Sequence, residues 1–286
     1  RTRIASVKNT KQITSAMKMV SAAKLRKAQD AIIQLRPYTQ ELNNLAQKIA
    51  AAAGNQVQSP LIEKREVNKV LLVLLTSNKG LCGAFNYQIT KEAILFAKKT
   101  FPELVAKNQV QFLTIGRKGG EIIRREGFPV YKSLDELLDQ KTFVSSSAMA
   151  KELMRIYEKE EFDQINILYN GFKNAAVQRI TNSQFLPISI DQNTEHENIE
   201  DAYIFEPNAT EIISELLPRI LEITFHSAIL DSLASEHGAR MTAMHKATDN
   251  ASDLIKELTL NYNKARQAAI TNEITEIVSG ANALGK

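Results

Sequence analysis

The sequence predicts an α/β domain with a mostly parallel sheet, inserted between two long terminal helices that pair as an antiparallel coiled coil. Three observations carry that reading. Apolar and small residues recur in steps of three and four at both ends of the chain. The middle alternates short apolar runs with amphipathic stretches. The two ends carry charge of opposite sign.

The first region, residues 1–56, reads as one coiled-coil helix. Its second half shows the seam pattern at Ala28, Ile32, Leu35, Tyr38, Leu42, Leu45 and Ile49. Its first half keeps the phase with Ile4, Val7, Thr14, Met17 and Ser21, smaller on the whole and suited to close helix approach. Pro37 interrupts the pattern, so a bend is expected near Arg36. About fifty helical residues would make a rod of roughly 75 Å. Gly54, Asn55 and Pro60 mark its exit.

The second region, residues 67–206, supplies candidate strands at Lys69–Thr76, Val110–Ile115, Ile165–Tyr169 and Ala176–Phe185. Candidate helices are Gln88–Thr100, Gly119–Glu126 and Ser147–Glu160. Strand and helix in alternation imply βαβ units and a Rossmann-like, largely parallel sheet. Ala176–Phe185 follows the preceding strand after a short turn and is expected to form an antiparallel edge hairpin.

The third region, residues 208–286, is again helical. Asn208 with Glu211 resembles a capping box. The seam is read at Leu230, Ala234, His237, Met241, Met244, Ala251, Ile255, Leu258, Tyr262, Ala265 and Ala269. A kink or fresh start is expected at Pro218, and close contact with another helix at Gly238. Because the inserted domain returns the chain to its start, the two helices must be antiparallel. The last helix outruns the first, so the stripe Ile270, Ile274, Ile277, Val278, Ala281 and Leu284 is expected to stand free and to need a socket.

Composition bounds the function. The chain has 286 residues, of which 44% are hydrophobic and 24% charged, values normal for a folded globular protein. Residues 1–36 hold nine basic side chains against one acid, Asp30. Residues 208–286 hold seven bases against ten acids, which suits pairing of the ends. A basic block can meet nucleic acid, anionic lipid or an acidic protein surface. This one shares a helix with an apolar seam and has few aromatics, which favours a protein partner over nucleic acid. No apolar run approaches the length of a membrane span. No signal-peptide pattern is visible. The chain begins at Arg1, so trimming is expected and a removed targeting segment stays open.

The turn after the first strand, Thr-Ser-Asn-Lys-Gly-Leu-Cys-Gly-Ala-Phe-Asn from Thr76 to Asn86, invites two sharper readings. A phosphate cradle would need GxxxxGK[ST] or GxGxxG, and Gly80, Gly83, Gly116, Gly119 and Gly120 fit neither. A nucleophilic Cys82, the single cysteine, would need a histidine base. His196, His226, His237 and His245 are all read as lying away from the strand ends. Gly80, Cys82 and Gly83 are therefore assigned to a tight structural turn. His237 and His245, eight residues apart, do not have metal-ligand spacing. No catalytic residue, cofactor or metal is expected.

The terminal segments "RTRIASVKNTKQITSAMKMVSAAKLRKAQ", "LASEHGARMTAMHKATDNASDLI" and "NKARQAAITNEITEIVSGANAL", with "TSNKGLCGAFN" between them, resemble the γ subunit of F-type ATP synthases over essentially the whole chain. The resemblance implies a non-catalytic central shaft. It would couple proton- or sodium-driven rotation of a c-subunit ring to ATP synthesis or hydrolysis on β subunits, within a hexamer of three α and three β, with an ε subunit as a further partner. It carries a contact with an acidic loop of β to Arg266 and Gln267, and the first-helix side of the same neck to Met17 and Lys18. It places Ile270 to Leu284 in an apolar bearing, and the contact with the c ring at Tyr203, Phe205 and Glu206. It implies no membrane insertion and a peripheral place on the cytoplasmic face of a bacterial plasma membrane, or else on the matrix face of the mitochondrial inner membrane. Two alternatives stay open on the residues alone: a coiled-coil adaptor, and an α/β enzyme with helical oligomerisation arms.

Overall fold

The protein is described by a computed structural model over residues 1–53, 59–140, 142–175, 177–188, 206 and 208–284. Its strands are β1 (Val70–Leu75), β2 (Val110–Ile115), β3 (Val130–Ser133), β4 (Gln164–Phe172) and β5 (Gln178–Leu186). They form one sheet in the order β3-β2-β1-β4-β5. β1 pairs in parallel with β2 and β4, and β2 in parallel with β3; β5 closes the edge antiparallel to β4. The parallel sheet and the edge hairpin are thus as expected. All six residues of β1 are buried, as a central strand covered on both faces requires.

One face is covered by α2 (Phe85–Thr100), α3 (Pro102–Ala106) and α4 (Arg117–Arg125), around Leu72, Leu74, Phe112 and Ile123. Beyond β3 the chain forms α5 (Leu137–Gln140) and α6 (Phe143–Glu158). The other face packs α6 and the start of α7 (Ala209–Leu284) onto Leu71, Val73, Leu75 and Ile167. Ile213, Leu217, Leu221 and Phe225 of α7 share that cluster, so the core of the α/β unit includes the foot of the last helix. β3, α3 and α5 escape the sequence reading because each has four or five residues and no full apolar period.

The first helix, α1, runs from Thr2 to Ala53 and passes through Pro37 as one element. α7, 76 residues long, likewise passes through Pro218, and no fresh start occurs there. The carbonyls that these prolines leave unpaired, at Ile33 and Ser214, belong to exposed residues where water can serve them. Asn208 caps α7: its Oδ1 accepts from the Glu211 N–H at 2.8 Å, and its Nδ2 donates to Glu211 Oε1 at 2.9 Å.

α1 and α7 pair antiparallel. Arg1 Nε donates to the Tyr262 hydroxyl at 2.7 Å, Thr248 Oγ1 bonds Thr14 Oγ1 at 2.9 Å, and Lys18 Nζ lies 3.4 Å from His245 Nδ1. The residue numbers of these three pairs add to 262 or 263, which fixes the register there. Leu25 and Ile32 meet Leu230 and Ala234 in the seam. Three expectations need correction. Tyr38 and Leu45 are exposed, while Ala46 and Ile49 are buried against the domain. A straight helix drifts by about 20° per heptad relative to a 3.5-residue stripe, enough to change which residues face inward. Ala265 and Ala269 are exposed, beyond the Arg1–Tyr262 contact. Gly238 meets no helix: a Cβ there would lie 3.2 Å from the Ala175 carbonyl oxygen in the β4–β5 turn.

Candidate functional site: a clasped shaft with a bare tip

The turn after β1 is filled by its own chain. Asn86 Oδ1 accepts from the Ser77 N–H at 2.9 Å. Cys82 is buried, with Asn86 Nδ2 3.3 Å and Ser77 Oγ 3.7 Å from its Sγ. Burial pushes the Cys82 thiol above its ordinary pKa, so the nucleophilic thiolate is disfavoured. Gly83 has φ +62°, the conformation that favours glycine. The start of α4, where free N–H groups would hold an anion, is also occupied. Gly119 N–H donates to Thr76 Oγ1 at 2.9 Å, Lys118 N–H to the Ser77 carbonyl at 3.1 Å, and Arg117 N–H to Asn78 Oδ1 at 3.2 Å. A Cβ at Gly116 or Gly119 would collide with Thr76, so these glycines serve close packing. The cradle-like glycines thus hold side chains of the protein itself.

α7 crosses this turn through a residue that sequence reasoning missed. Arg240 is 8% exposed. Its Nη2 donates to the Lys79 carbonyl at 2.9 Å and to the Gly80 carbonyl at 3.3 Å, and its Nη1 pairs with Glu236 at 2.6 Å. The i,i+4 spacing of Glu236 and Arg240 was a visible signal; carbonyl acceptors about 160 residues away were not. His237, expected away from the strand ends, lines a cavity of about 430 Å³ with Met17, Lys24, Leu81 and Arg240. His226 is also inside the α/β unit, with its Nδ1 2.8 Å from Ser146 Oγ.

Met17 and Lys18 therefore lie opposite the stretch near residues 240–245. Arg266 and Gln267 are some twenty residues further along α7, about 30 Å at the helical rise. The structure does not bring the two pairs together: they are separate stations on one shaft. Arg266 and Gln267 are exposed, as are Ile270, Ile274, Ile277 and Val278, and α7 ends at Leu284. Tyr203 and Phe205 lie outside the described residues, and Glu206 is exposed. On α1, Arg3, Lys8, Lys11, Lys24, Arg26 and Lys27 are exposed, so the basic block faces outward rather than into the seam. Arg36–Asp231, at 3.7 Å, is an ion pair that does cross from α1 to α7. No described helix is long and apolar enough to cross a membrane.

The ATP synthase family matches residues 1–284. The ATP synthase gamma chain of Christiangramia forsetii is 50% identical over 284 residues, covering 99% of this chain and 97% of that one. That of Cytophaga hutchinsonii is 46% identical over 286 residues, with 99% and 97% covered. Among solved structures, a chain of the Euglena gracilis mitochondrial ATP synthase, OSCP/F1/c-ring, in rotational state 3, superposes with a TM-score of 0.68 at 17% identity, covering 99% of this chain and 93% of that one. A chain of the rotor of the same enzyme in rotational state 1 gives 0.66 at 19%, covering 94% and 97%. The structures share the fold, and the sequences share the lineage: this chain belongs to the γ-chain family of ATP synthases.

Proposed function

We propose that the chain is the rotating central shaft of an ATP synthase, without a catalytic site of its own. Catalysis belongs to the β subunits, and the shaft couples c-ring rotation to ATP synthesis or hydrolysis there. Its partners are a hexamer of three α and three β subunits, an ε subunit and the c ring. The observation that carries the reading is the exposed apolar stripe at the end of α7, made by Ile270, Ile274, Ile277 and Val278. Such a stripe calls for an enclosing socket, and non-directional apolar contact lets a shaft turn without being trapped at one angle. The asymmetric shaft presents a different face to each β subunit and so biases each site differently.

Within this reading Arg266 and Gln267 grip an acidic loop of β, the planar guanidinium being suited to a carboxylate. Met17 and Lys18 form a second, lower station. Ile270, Ile274, Ile277, Val278 and Leu284 turn in the bearing, and Tyr203, Phe205 and Glu206 meet the c ring. Residues 1–56 and 208–286 serve as the coiled coil, with 67–206 as the domain below it. The bacterial sources of two similar γ chains favour the cytoplasmic face of a plasma membrane. Two measurements test the reading. The isolated chain should not turn over ATP; turnover by the chain alone overturns it. In the assembled complex Arg266→Ala should slow coupled turnover by about tenfold, the worth of a charged hydrogen bond, while Lys286→Ala should not. Equal effects would remove the assigned grip.

A further inference from the structure

In open α/β sheets the crevice that holds ligands lies at the carboxyl ends of the strands, where the strand order reverses. Here that point is between β1 and β4. The stretches leaving those strands, 76–84 and 173–175, both close on residues 235–242 of α7. From the β4 side, Ser235 Oγ donates to the Asn170 carbonyl at 2.8 Å and Thr242 Oγ1 to the Ala175 carbonyl at 3.3 Å, and Gly238 admits the Ala175 backbone. From the β1 side, Arg240 donates to the carbonyls of Lys79 and Gly80.

At about 100° per residue, Ser235, Gly238 and Thr242 share one face of the helix and Arg240 points nearly the opposite way. Every residue from Ser232 to Gly238 is buried, an enclosure unlike the rest of the shaft. α1 joins in: Arg36 donates to the Phe172 carbonyl at 3.4 Å and pairs with Asp231 of α7 at 3.7 Å. These bonds run from α7 and α1 side chains to main-chain groups, so they fix the angle of the helix about its own axis as well as its position.

We propose that this crevice is a clasp that locks the rotational phase of the shaft to the α/β domain, with Ser235, Gly238, Arg240 and Thr242 as its positioning residues. The proposal rests on the shaft reading. Torque entering through the domain reaches α7 last at the clasp, above which α1 and α7 pair with each other. A slack clasp leaves α7 joined to the domain by its foot but lets the two swing through a wider angle, so the shaft loses torsional stiffness while steady turnover is kept.

The test uses the assembled ATP synthase with its hexamer fixed to a surface and a bead on the α/β domain, and reads the width of the domain's angular fluctuation between steps of ATP-driven rotation. The triple variant Ser235→Ala, Glu236→Leu, Arg240→Met removes the Arg240 grip and weakens the Ser235 one without leaving Glu236 as a lone buried charge. The fluctuation should widen at least twofold while the rate of hydrolysis is kept. Adding Ala175→Cys and Thr242→Cys should narrow it again under oxidation and widen it with reductant. An unchanged width, a widening matched by an equal loss of hydrolysis, or the same width in the oxidised and reduced states would each overturn the clasp. If the triple variant does not assemble, Ser235→Ala with Thr242→Val decides by the same widening or its absence. A wild-type complex that hydrolyses ATP without turning the bead would instead defeat the shaft reading itself.

Discussion

Residues 232–242 and 263–280 belong to the same helix and have opposite surroundings. The first stretch is buried almost throughout, held by two loops and by α1. The second is exposed at every residue. An isolated helix of such length is marginal in water because its first turn is costly to form. The tip avoids that cost by continuing a helix already fixed below it. The lower stretch is therefore specified by packing within the chain, whereas the apolar side chains of the upper stretch are left uncovered by the described residues.

Truncation separates the two most strongly. Leu233→Ala, in the core beneath the clasp, should lower the stability of the isolated chain by about 2–5 kcal/mol in urea unfolding. Ile274→Ala should change it by no more than about 0.5 kcal/mol. Similar losses at both sites would mean that the tip folds back on the chain in solution.

Glycine substitutions sharpen the contrast by changing sign. Gly280 has nothing within 4 Å of a new Cβ, so Gly280→Ala should raise helix content and stability by up to about 1 kcal/mol. Gly238→Val drives methyl groups toward the Ala175 backbone and should cost about 1–3 kcal/mol. Stabilisation by Gly238→Val would show that the hairpin turn yields freely.

The smallest effect is a pH slope confined to the lower region. Burial holds the His226 imidazole below its ordinary pKa of 6.5, so the unfolded chain takes up the proton first as pH falls. Stability should be fully present above that value and decline as the pH drops through it. Thermal unfolding at pH 7.5 and 5.5 should show a smaller decline for His226→Phe than for the parent chain. Asp231, whose carboxyl is raised by burial despite Arg36, acts in the opposite sense but from an ordinary value of 3.8, and it is common to both proteins.

Much of this was legible because it rests on period and spacing. Val110–Ile115 reads as a buried strand and is one, with those bounds. The exposed stripe is legible because the apolar period of α7 continues past its seam through Ile270, Ile274 and Ile277. The clasp was not legible, because its acceptors are main-chain carbonyls, and every residue has one. Gly238 did signal a close approach, but a glycine does not say whether a helix or a loop approaches it. The four exposed apolar residues of the tip could be read as a stripe, yet what they meet is a property of other chains.

The constant register of α1 and α7 has one more consequence. Because the facing residues of the three upper pairs add to 262 or 263, the partner that each α7 residue meets above the clasp is set by residue count in α1. An insertion of four residues in α1 between Lys18 and Leu25 would slide every α1 residue before it about 6 Å along α7. A deletion would slide them the other way. The pairing of the upper shaft is thus adjustable from a distance, by residue count in a stretch that need not touch it.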